Sequence, residues 1–461
     1  MIPAAWRAGE IAVVGLGRSG QAACALLRRE GLRVYASDVA DSPGVRQAAA
    51  RLAELGCAVQ TGGHDLDRIE CCAALILSPG VPPDAAPVAA AHARGVPVVS
   101  ELDLGARFLP RTSLIVVTGT NGKSTTSALT AHLLGATGLG AAEAAGNIGL
   151  PLSTVAARKD APAWLAVEAS SFQLHDSPTL TPAVGVLTNL APDHLDRYAS
   201  VTEYYDDKRR LYRNASASSR WVTNGDDAAA LEMAAGVAGT HERFSLTFRQ
   251  AEGFYDARAG WLVLRGTPLL RRGDLMLLGD HNAANALAAA LALPPEADRE
   301  RLAEGLRTFR ALAHRLEPVR EVGGVVWIND SKATNVASTQ VALASMVRPA
   351  VVLLGGRHKG EPYTSLAPAL ARARAVIAFG EAGPIVEHDL AGAVRLERGG
   401  DFADVLERAR RIAEPGDAVL LSPACSSYDM FDNYEQRGRV FREWVDALPE
   451  TAAVRSATRR S

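Results

Sequence analysis

The chain has little that would tie it to nucleic acid, to a bilayer or to an oxidising compartment. Its formal net charge at pH 7 is −2 over 461 residues, with lysine and arginine scattered. No basic face therefore marks it for nucleic acid or anionic lipid. Its apolar runs are broken by charge or glycine well short of the length that spans a membrane, and the opening residues do not read as a secretory signal. The five cysteines, Cys24, Cys57, Cys71, Cys72 and Cys425, are odd in number and lack metal-ligand spacing. They read as reduced thiols in a cytoplasmic protein. No repeat of fixed period recurs. What is present is a 48 % apolar composition, ample for sizeable cores, and a length that suggests about three domains. Only the tail Glu450 to Ser461 reads as disordered.

A strict phosphate-loop pattern, G-x-x-x-x-G-K-[ST], is also missing, because Val117 stands where the first glycine belongs. A shorter loop takes its place. Ile115-Val116-Val117 reads as a buried parallel strand, and Thr118-Gly119-Thr120-Asn121-Gly122-Lys123-Ser124-Thr125-Thr126 runs from it into an Ala/Leu-rich helix over Ser127 to Leu134. A helix that starts just after a glycine turn offers unpaired N–H groups and the positive end of its dipole. With a lysine in the turn this is a phosphate site. The reading is a nucleoside triphosphate, with Lys123 near the β- and γ-phosphates and Ser124 or Thr125 near Mg²⁺.

Ahead of that loop, Ile11-Ala12-Val13-Val14 leads into Gly15-Leu16-Gly17-Arg18-Ser19-Gly20, a helix to about Glu30, and a strand from Leu32 that ends in Asp38. This fits the dinucleotide fingerprint G-x-G-x-x-G with an acidic residue about twenty positions on. NAD is the usual ligand of such a turn, and a uridine diphosphate could use it equally. Leu75 to Pro82 reads as a strand and turn over the same edge, Pro97 to Glu101 closes the small sheet, and Glu101 to Leu109 carries the link onward.

After the phosphate loop come the glycine-flanked turn Gly146-Asn147-Ile148-Gly149 and the strand Trp164 to Glu168. A carboxylate at a strand end beside a phosphate loop is placed to hold Mg²⁺ directly or through water. The strand Ala183 to Asn189 is followed by Asp193-His194-Leu195-Asp196-Arg197-Tyr198, where His194 can be structural or functional. Tyr204 to Tyr212 reads as a charged helix, in which composition alone makes Lys208 a solvated lysine. Residues 220–275 read as an antiparallel excursion. Gly279 to Asn285 opens an Ala-rich helix to Leu293, with Asn282 and Asn285 on one face of its first turn. From about Ala311 the pattern resets to a third α/β unit with a mostly parallel sheet, built on strands at Val325, Ala350, Ala375 and Ala418. Its polar loops all follow strands, so they should line one cleft.

Taken in order, Thr118 to Thr125, Gly146 to Gly149, Glu168 to Leu174, Asp193 to Tyr198, His281-Asn282 and Asn329-Asp330-Ser331-Lys332-Ala333-Thr334-Asn335 resemble the motifs of the Mur ligases, ATP-dependent amide-forming enzymes of peptidoglycan synthesis. The first glycine turn, the Ser-Ser-Phe-Gln-Leu run and the Asn-Asp-Ser-Lys-Ala-Thr-Asn run are similar to the glutamate-adding branch. The resemblance implies an α/β fold of three domains: a Rossmann-like UDP-binding domain at 1–103, a central P-loop ATPase-like domain at 104–310, and a C-terminal Rossmann-like domain at 311–461. The first fingerprint would then bind UDP, not NAD.

The same resemblance implies site residues. Leu16, Gly17, Arg18, Asp38 and Gly80 would hold the UDP moiety, and Asn147 the muramoyl portion. Gly119, Thr120, Asn121, Gly122, Lys123, Ser124 and Thr125 would hold phosphates, with Asn282, Asn285, Arg315 and Asp330 around adenine, phosphate and ribose. Ser124, Glu168, His194 and a carbamate formed from CO2 on Lys208 would surround two Mg²⁺ ions. Lys123, Glu168, His194 and Lys208 form the catalytic set. Thr334, Lys359 (with Arg357 as the alternative), Ser427, Tyr428 and Tyr434 would receive the amino acid, Tyr434 standing where phenylalanine is more familiar. The implied reaction joins D-glutamate to UDP-N-acetylmuramoyl-L-alanine in the cytoplasm, in a monomer, through an acyl phosphate, and no general base for the amine stands out. An L-glutamate-adding variant stays open. A nicotinamide-dependent dehydrogenase leaves the phosphate loop unexplained, and a folylpolyglutamate synthase-like ligase would lack residues 1–103. A non-enzymatic nucleotide-binding module is the remaining alternative.

Overall fold

The computed structural model describes residues 2–194 and 197–449. The tail from Glu450, expected to be disordered, lies outside the described residues, as do Leu195 and Asp196. The chain forms two compact units, Met1–Leu275 with Ala283–Phe309, and Met276–Asn282 with Arg310–Ser461.

The first unit holds two sheets. Strands β1 (Glu10–Val14), β2 (Arg33–Asp38), β3 (Ala58–Thr61), β4 (Ala74–Leu77) and β5 (Val98–Ser100) pair in the order β3-β2-β1-β4-β5. Every pairing is parallel. The strand order reverses beside β1, so the crevice of a doubly wound sheet opens after its carboxyl end. The helix Arg18–Arg29 buries Ala23, Cys24, Leu26 and Leu27 on one stripe. It lies so close to the preceding turn that a Cβ on Gly20 would stand 1.8 Å from the carbonyl oxygen of Gly15.

The stretch expected to be a simple link is a buried helix, Glu101–Arg107. Ser153 N donates to Glu101 Oε1 (2.6 Å), and Thr179 N donates to Asp103 Oδ1 (2.9 Å). One hydrophobic cluster runs from Ile11 and Val34 through Leu102 and Leu104 to Val116 and Val167. The two sheets of this unit thus share a core.

The second sheet contains β6 (Ser113–Thr118), β7 (Ala145–Gly146), β8 (Trp164–Glu168), β9 (Val184–Leu187), β10 (Arg220–Asn224), β11 (Thr240–Ser245), β12 (Gly253–Asp256), β13 (Trp261–Leu264) and β14 (Thr267–Arg271). Their order is β14-β13-β12-β11-β10-β9-β6-β8-β7. The expected antiparallel excursion over 220–275 is corrected here. β10, β11 and β12 extend the parallel sheet, and only β12-β13-β14 is antiparallel. The helix Ala228–Ala234 supplies the crossover that a parallel β10–β11 pair requires.

The second unit is built on β15 (Glu317–Val322), β16 (Val325–Asn329), β17 (Ala350–Gly355), β18 (Ala375–Phe379), β19 (Leu396–Arg398) and β20 (Ala418–Leu421), in the order β15-β16-β20-β17-β18-β19. All but β15 run parallel. Residues of β17 and β20 alternate between two apolar clusters, Val352 and Leu420 in one, Val351 and Val419 in the other. A sheet covered on both faces reads as a continuous apolar run, which is how these strands appear in the sequence.

Candidate active site

In the first unit the chain leaves β6 at Gly119, whose φ is +142°, and a Cβ there would stand 2.0 Å from Thr188 Oγ1. Only glycine fits. Gly122, at φ +81°, precedes the helix Lys123–Thr137, which begins without a side-chain cap. Its first-turn amides and dipole make the expected anion site. The loop is fixed from behind. Asn121 N donates to Asn189 Oδ1 (2.8 Å), Asn189 Nδ2 donates to Asn121 O (3.0 Å), and the Thr188 hydroxyl donates to Asn121 O (2.6 Å). Lys123 Nζ donates to Thr120 O (2.7 Å). Asn285 reaches the same turn, accepting from Thr126 Oγ1 (3.2 Å), and a Cβ on Gly122 would lie 2.5 Å from its Oδ1.

The reading of Lys208 as a solvated lysine is wrong. Its side chain is 1 % exposed, and its Nζ donates to Gly119 O (2.7 Å) and stands 4.5 Å over the Tyr204 ring. Helical spacing explains the burial. Tyr204, Asp207 and Lys208 lie on one face of Val201–Arg209, and that face packs inward. Burial, with the charge of Lys123 second, holds the Lys208 amine well below the ordinary lysine range, while Asp193, Glu168 and Asp207 pull it upward. Lys123, Glu168 and Lys208 therefore gather at one loop.

Glu168 ends β8 and is buried. Its Oε1 accepts from Asn147 Nδ2 (2.7 Å), and its Oε2 is buried with no hydrogen-bond partner. A buried carboxyl oxygen without a donor is a position that a bound cation could satisfy. His194 adopts a left-handed φ of +56°, and its ring stands edge-on to Phe172 and Tyr204 at 5.3 and 5.9 Å. Among the described residues no group of three or more His, Cys, Asp or Glu forms a ready-made metal cage.

The first glycine turn opens on a cleft of about 750 Å³ lined by Gly17, Arg18, Asp38, Gly80 and Asn147. Leu16 contributes its backbone, since its side chain is buried and its N–H donates to Asp38 Oδ2 (2.8 Å). Arg18 Nη2 donates to Gly149 O (2.9 Å), tying the turn to the loop that carries Asn147. Asn147 thus lines this cleft and bonds the carboxylate beside the phosphate loop.

In the second unit Asp330 follows β16, accepting from Leu316 N (3.1 Å) and Ser422 Oγ (2.8 Å). Burial raises it to about 7. Asn282 Nδ2 donates to Leu278 O (2.8 Å), and Arg315 lies between His314 and Leu316, both at positive φ. Ser427 is buried, Tyr428 is exposed, and a bridge between Arg357 and Ser426 joins their loop to the one that carries Lys359. Arg357 pairs with Glu381 (3.4 Å). Thr334 is half-buried, and the Tyr434 ring faces Lys332 Nζ at 5.4 Å.

Sequence reasoning missed the supports: Thr188, Asn189, and Asp207, which accepts from Tyr198 OH (2.9 Å) and pairs with His175 Nδ1 (2.7 Å). The i, i+3, i+4 spacing of Tyr204, Asp207 and Lys208 was the available signal for Asp207.

A phosphate loop joined by one asparagine to a dinucleotide-style cleft defines an α/β enzyme that brings a nucleoside triphosphate together with a second nucleotide-type ligand. The chain belongs to the Mur ligase family. Residues 9–100 match the Mur ligase MurD-like N-terminal domain, residues 117–293 the Mur ligase middle domain, and residues 314–425 the Mur ligase glutamate ligase domain. The chain is 37 % identical to UDP-N-acetylmuramoylalanine--D-glutamate ligase of Acidobacterium capsulatum, over 97 % of this chain and 98 % of that one. It is 40 % identical to the protein of that name from Salinibacter ruber, over 97 % and 100 %. Among solved structures, UDP-N-acetylmuramate-alanine ligase MurC from Thermotoga maritima shares the fold, with a TM-score of 0.62 at 21 % identity over 95 % of this chain and 99 % of that one.

Proposed function

We propose that the chain is an ATP-dependent ligase that joins D-glutamate to UDP-N-acetylmuramoyl-L-alanine in peptidoglycan precursor synthesis. The observation that carries this reading is Asn147. It lines the cleft of the first glycine turn and donates to Glu168 beside the phosphate loop, so one ligand can run from that cleft to the phosphates. Leu16, Gly17, Arg18, Asp38 and Gly80 bind the UDP end, and Asn147 the muramoyl portion. The three sheets support a division into parts at 1–103, 104–310 and 311–461, since the strands of each sheet fall within one range, with the helix Glu101–Arg107 spanning the first boundary.

Forming an amide from a carboxylate is uphill in water, so the carboxylate needs activation. Two polyanions must meet, and Lys123 and the helix terminus supply countercharge. The L-alanyl carboxylate attacks the γ-phosphorus of ATP, the bond to the β,γ-bridging oxygen breaks, ADP leaves, and the carboxylate becomes an acyl phosphate. The amine of glutamate attacks that carbon, and phosphate leaves. Gly119 to Thr125 and Asn285 hold the triphosphate, and Asn282, Arg315 and Asp330 hold the adenosine portion. Ser124, Glu168, His194 and Lys208 would hold two Mg²⁺ ions, which neutralise phosphate charge when bound. The buried Lys208 amine, held neutral more readily than an exposed lysine, adds to CO2 with loss of a proton, and the cation becomes a carbamate. Thr334, Lys359, Ser427, Tyr428 and Tyr434 receive glutamate. Lys359 is favoured over Arg357 because Arg357 already pairs with Glu381. The enzyme works as a cytoplasmic monomer. Among the described residues no helix is long and apolar enough to cross a membrane.

The test is phosphate release from ATP with each glutamate enantiomer. Release should require both UDP-N-acetylmuramoyl-L-alanine and D-glutamate. Equal turnover with L-glutamate, or release without the UDP-sugar, refutes the reading.

A further inference from the structure

Within the second unit, the loops after β16, β17 and β20 meet around one side chain, Arg437. It lies in the second turn of the helix Tyr434–Asp446, and its relative exposure is 0 %. A buried arginine is expected to pair with a carboxylate. Arg437 does not. Its Nε donates to Ser331 Oγ (3.0 Å), its Nη2 to Ser331 O (2.8 Å) and Cys425 O (3.2 Å), and its Nη1 to Ser426 O (3.4 Å). Every acceptor is neutral. Asp330 and Asp429 pull on its charge only from beyond ion-pair distance. Burial lowers the guanidinium to about 10, so it is still a cation at neutral pH.

The loop after β17 closes on the same group. Gly356 has φ +129°, and a Cβ there would stand 2.2 Å from Ser426 O and 3.1 Å from Arg437 Nη1. Arg357 N donates to Ser426 O (2.9 Å). One fork therefore ties the Ser331 loop to the Cys425–Ser426 loop, and the Gly356–Arg357 loop packs against the Cys425–Ser426 loop and the fork itself. These loops carry Thr334, Lys359, Ser427 and Tyr428. A buried charge without a counter-ion is costly, and an incoming dicarboxylate would lower that cost.

We infer that Arg437 is the positioning residue of the amino-acid site: its fork holds the three loops in register, and its charge, paired with no carboxylate, favours an amino acid with two carboxylates over one with a single carboxylate. This rests on the reading of Thr334, Lys359, Ser427 and Tyr428 as the glutamate site. Arg437 touches none of the reacting atoms.

The test is steady-state kinetics of the full-length protein with D-glutamate and with D-glutamine, which carries one negative charge fewer. Arg437→Lys keeps the charge and loses the fork, while Arg437→Gln loses the charge. In Arg437→Lys the KM for D-glutamate should rise about tenfold, with the KM for ATP and for the UDP-sugar within about twofold of the parent. In Arg437→Gln the rise should be larger, and the preference for D-glutamate over D-glutamine should fall at least about tenfold. If Arg437→Gln does not fold, Arg437→Lys decides. A D-glutamate KM within about twofold of the parent in Arg437→Lys, or a parallel rise in all three KM values, overturns the inference. A parent enzyme that does not use glutamate at all overturns the functional reading instead.

Discussion

Replacing Lys208 by alanine separates the structural from the chemical work of that side chain. The lysine is 1 % exposed, so truncation removes three buried methylenes and the amine. At roughly 0.8 kcal/mol per methylene, the lost burial costs about 2–3 kcal/mol before any cavity term. Gly119 O also loses the donor that Lys208 Nζ provides, at about 1 kcal/mol. The melting temperature should therefore fall measurably while the protein still folds. Activity should fall further than stability implies. Loss of one preorganised charge beside a transferring phosphoryl group costs about 10²–10³ in kcat. The space vacated is about that of acetate or propionate, so added short carboxylates should restore part of the phosphate release. Lys208→Met is the control. It keeps a stem in the cavity, has no amine to react with CO2, and should be as inactive without being rescued. Full activity of Lys208→Ala, or equal rescue of both variants, refutes the carbamate reading.

Glu168→Gln keeps an acceptor for Asn147 Nδ2 but removes the charge behind the unpartnered Oε2. The Mg²⁺ concentration for half-maximal activity should rise roughly 10- to 100-fold with little change in melting, and an unchanged Mg²⁺ response rejects Glu168 as a ligand. Gly119→Ala forces a Cβ against Thr188 Oγ1 at a φ that alanine resists. It should cost about 1–3 kcal/mol and weaken ATP binding in titration calorimetry; wild-type affinity contradicts the loop geometry. Asp330 has its folded pKa raised from 3.8 to about 7 by burial. The folded state thus holds this proton more tightly, so its stabilisation is complete below about pH 4 and is lost as pH rises through about 7. In urea melts between about pH 4 and 8, Asp330→Asn should lack a decline on the order of 3–4 kcal/mol that the parent shows from this group, and parallel curves for the two refute it.

The parts of this molecule that were legible in its sequence are those whose physics is local. Val351 to Leu354 and Ile115 to Val117 read as strands because a parallel strand covered on both faces is continuously apolar. Gly119, Gly122 and Lys123 read as a phosphate loop because φ, helix start and charge are set within a few residues. Where an element owes its form to a distant partner, the reading failed. The helix Ala228–Ala234 follows the turn-forming run Asn224-Gly225-Asp226-Asp227 and is too short for a clear period, so the crossover was hidden and β10–β11 read as antiparallel. β15 contains Pro318, which argues against a central strand and is tolerated because β15 lies at the sheet edge.

Lys208 and Arg437 show the same limit at single residues. Arg437 sits in Glu435-Gln436-Arg437-Gly438-Arg439, and nothing in the local composition separates it from Arg439, which is exposed. Lys208 sits among Asp206, Asp207 and Arg209 with equally little to mark it, although its spacing from Tyr204 was a clue. Both are buried basic side chains, and in each the donors meet neutral oxygens, mostly backbone carbonyls, instead of a carboxylate. For Arg437 a buried ion pair would have cost less than a charge left without a paired carboxylate. Arg437 keeps a charge without a paired anion among the loops assigned to the amino acid, whereas burial biases Lys208 toward the neutral amine that addition of CO2 requires, so the substrate supplies the negative charge at one site and the carbamate supplies it at the other.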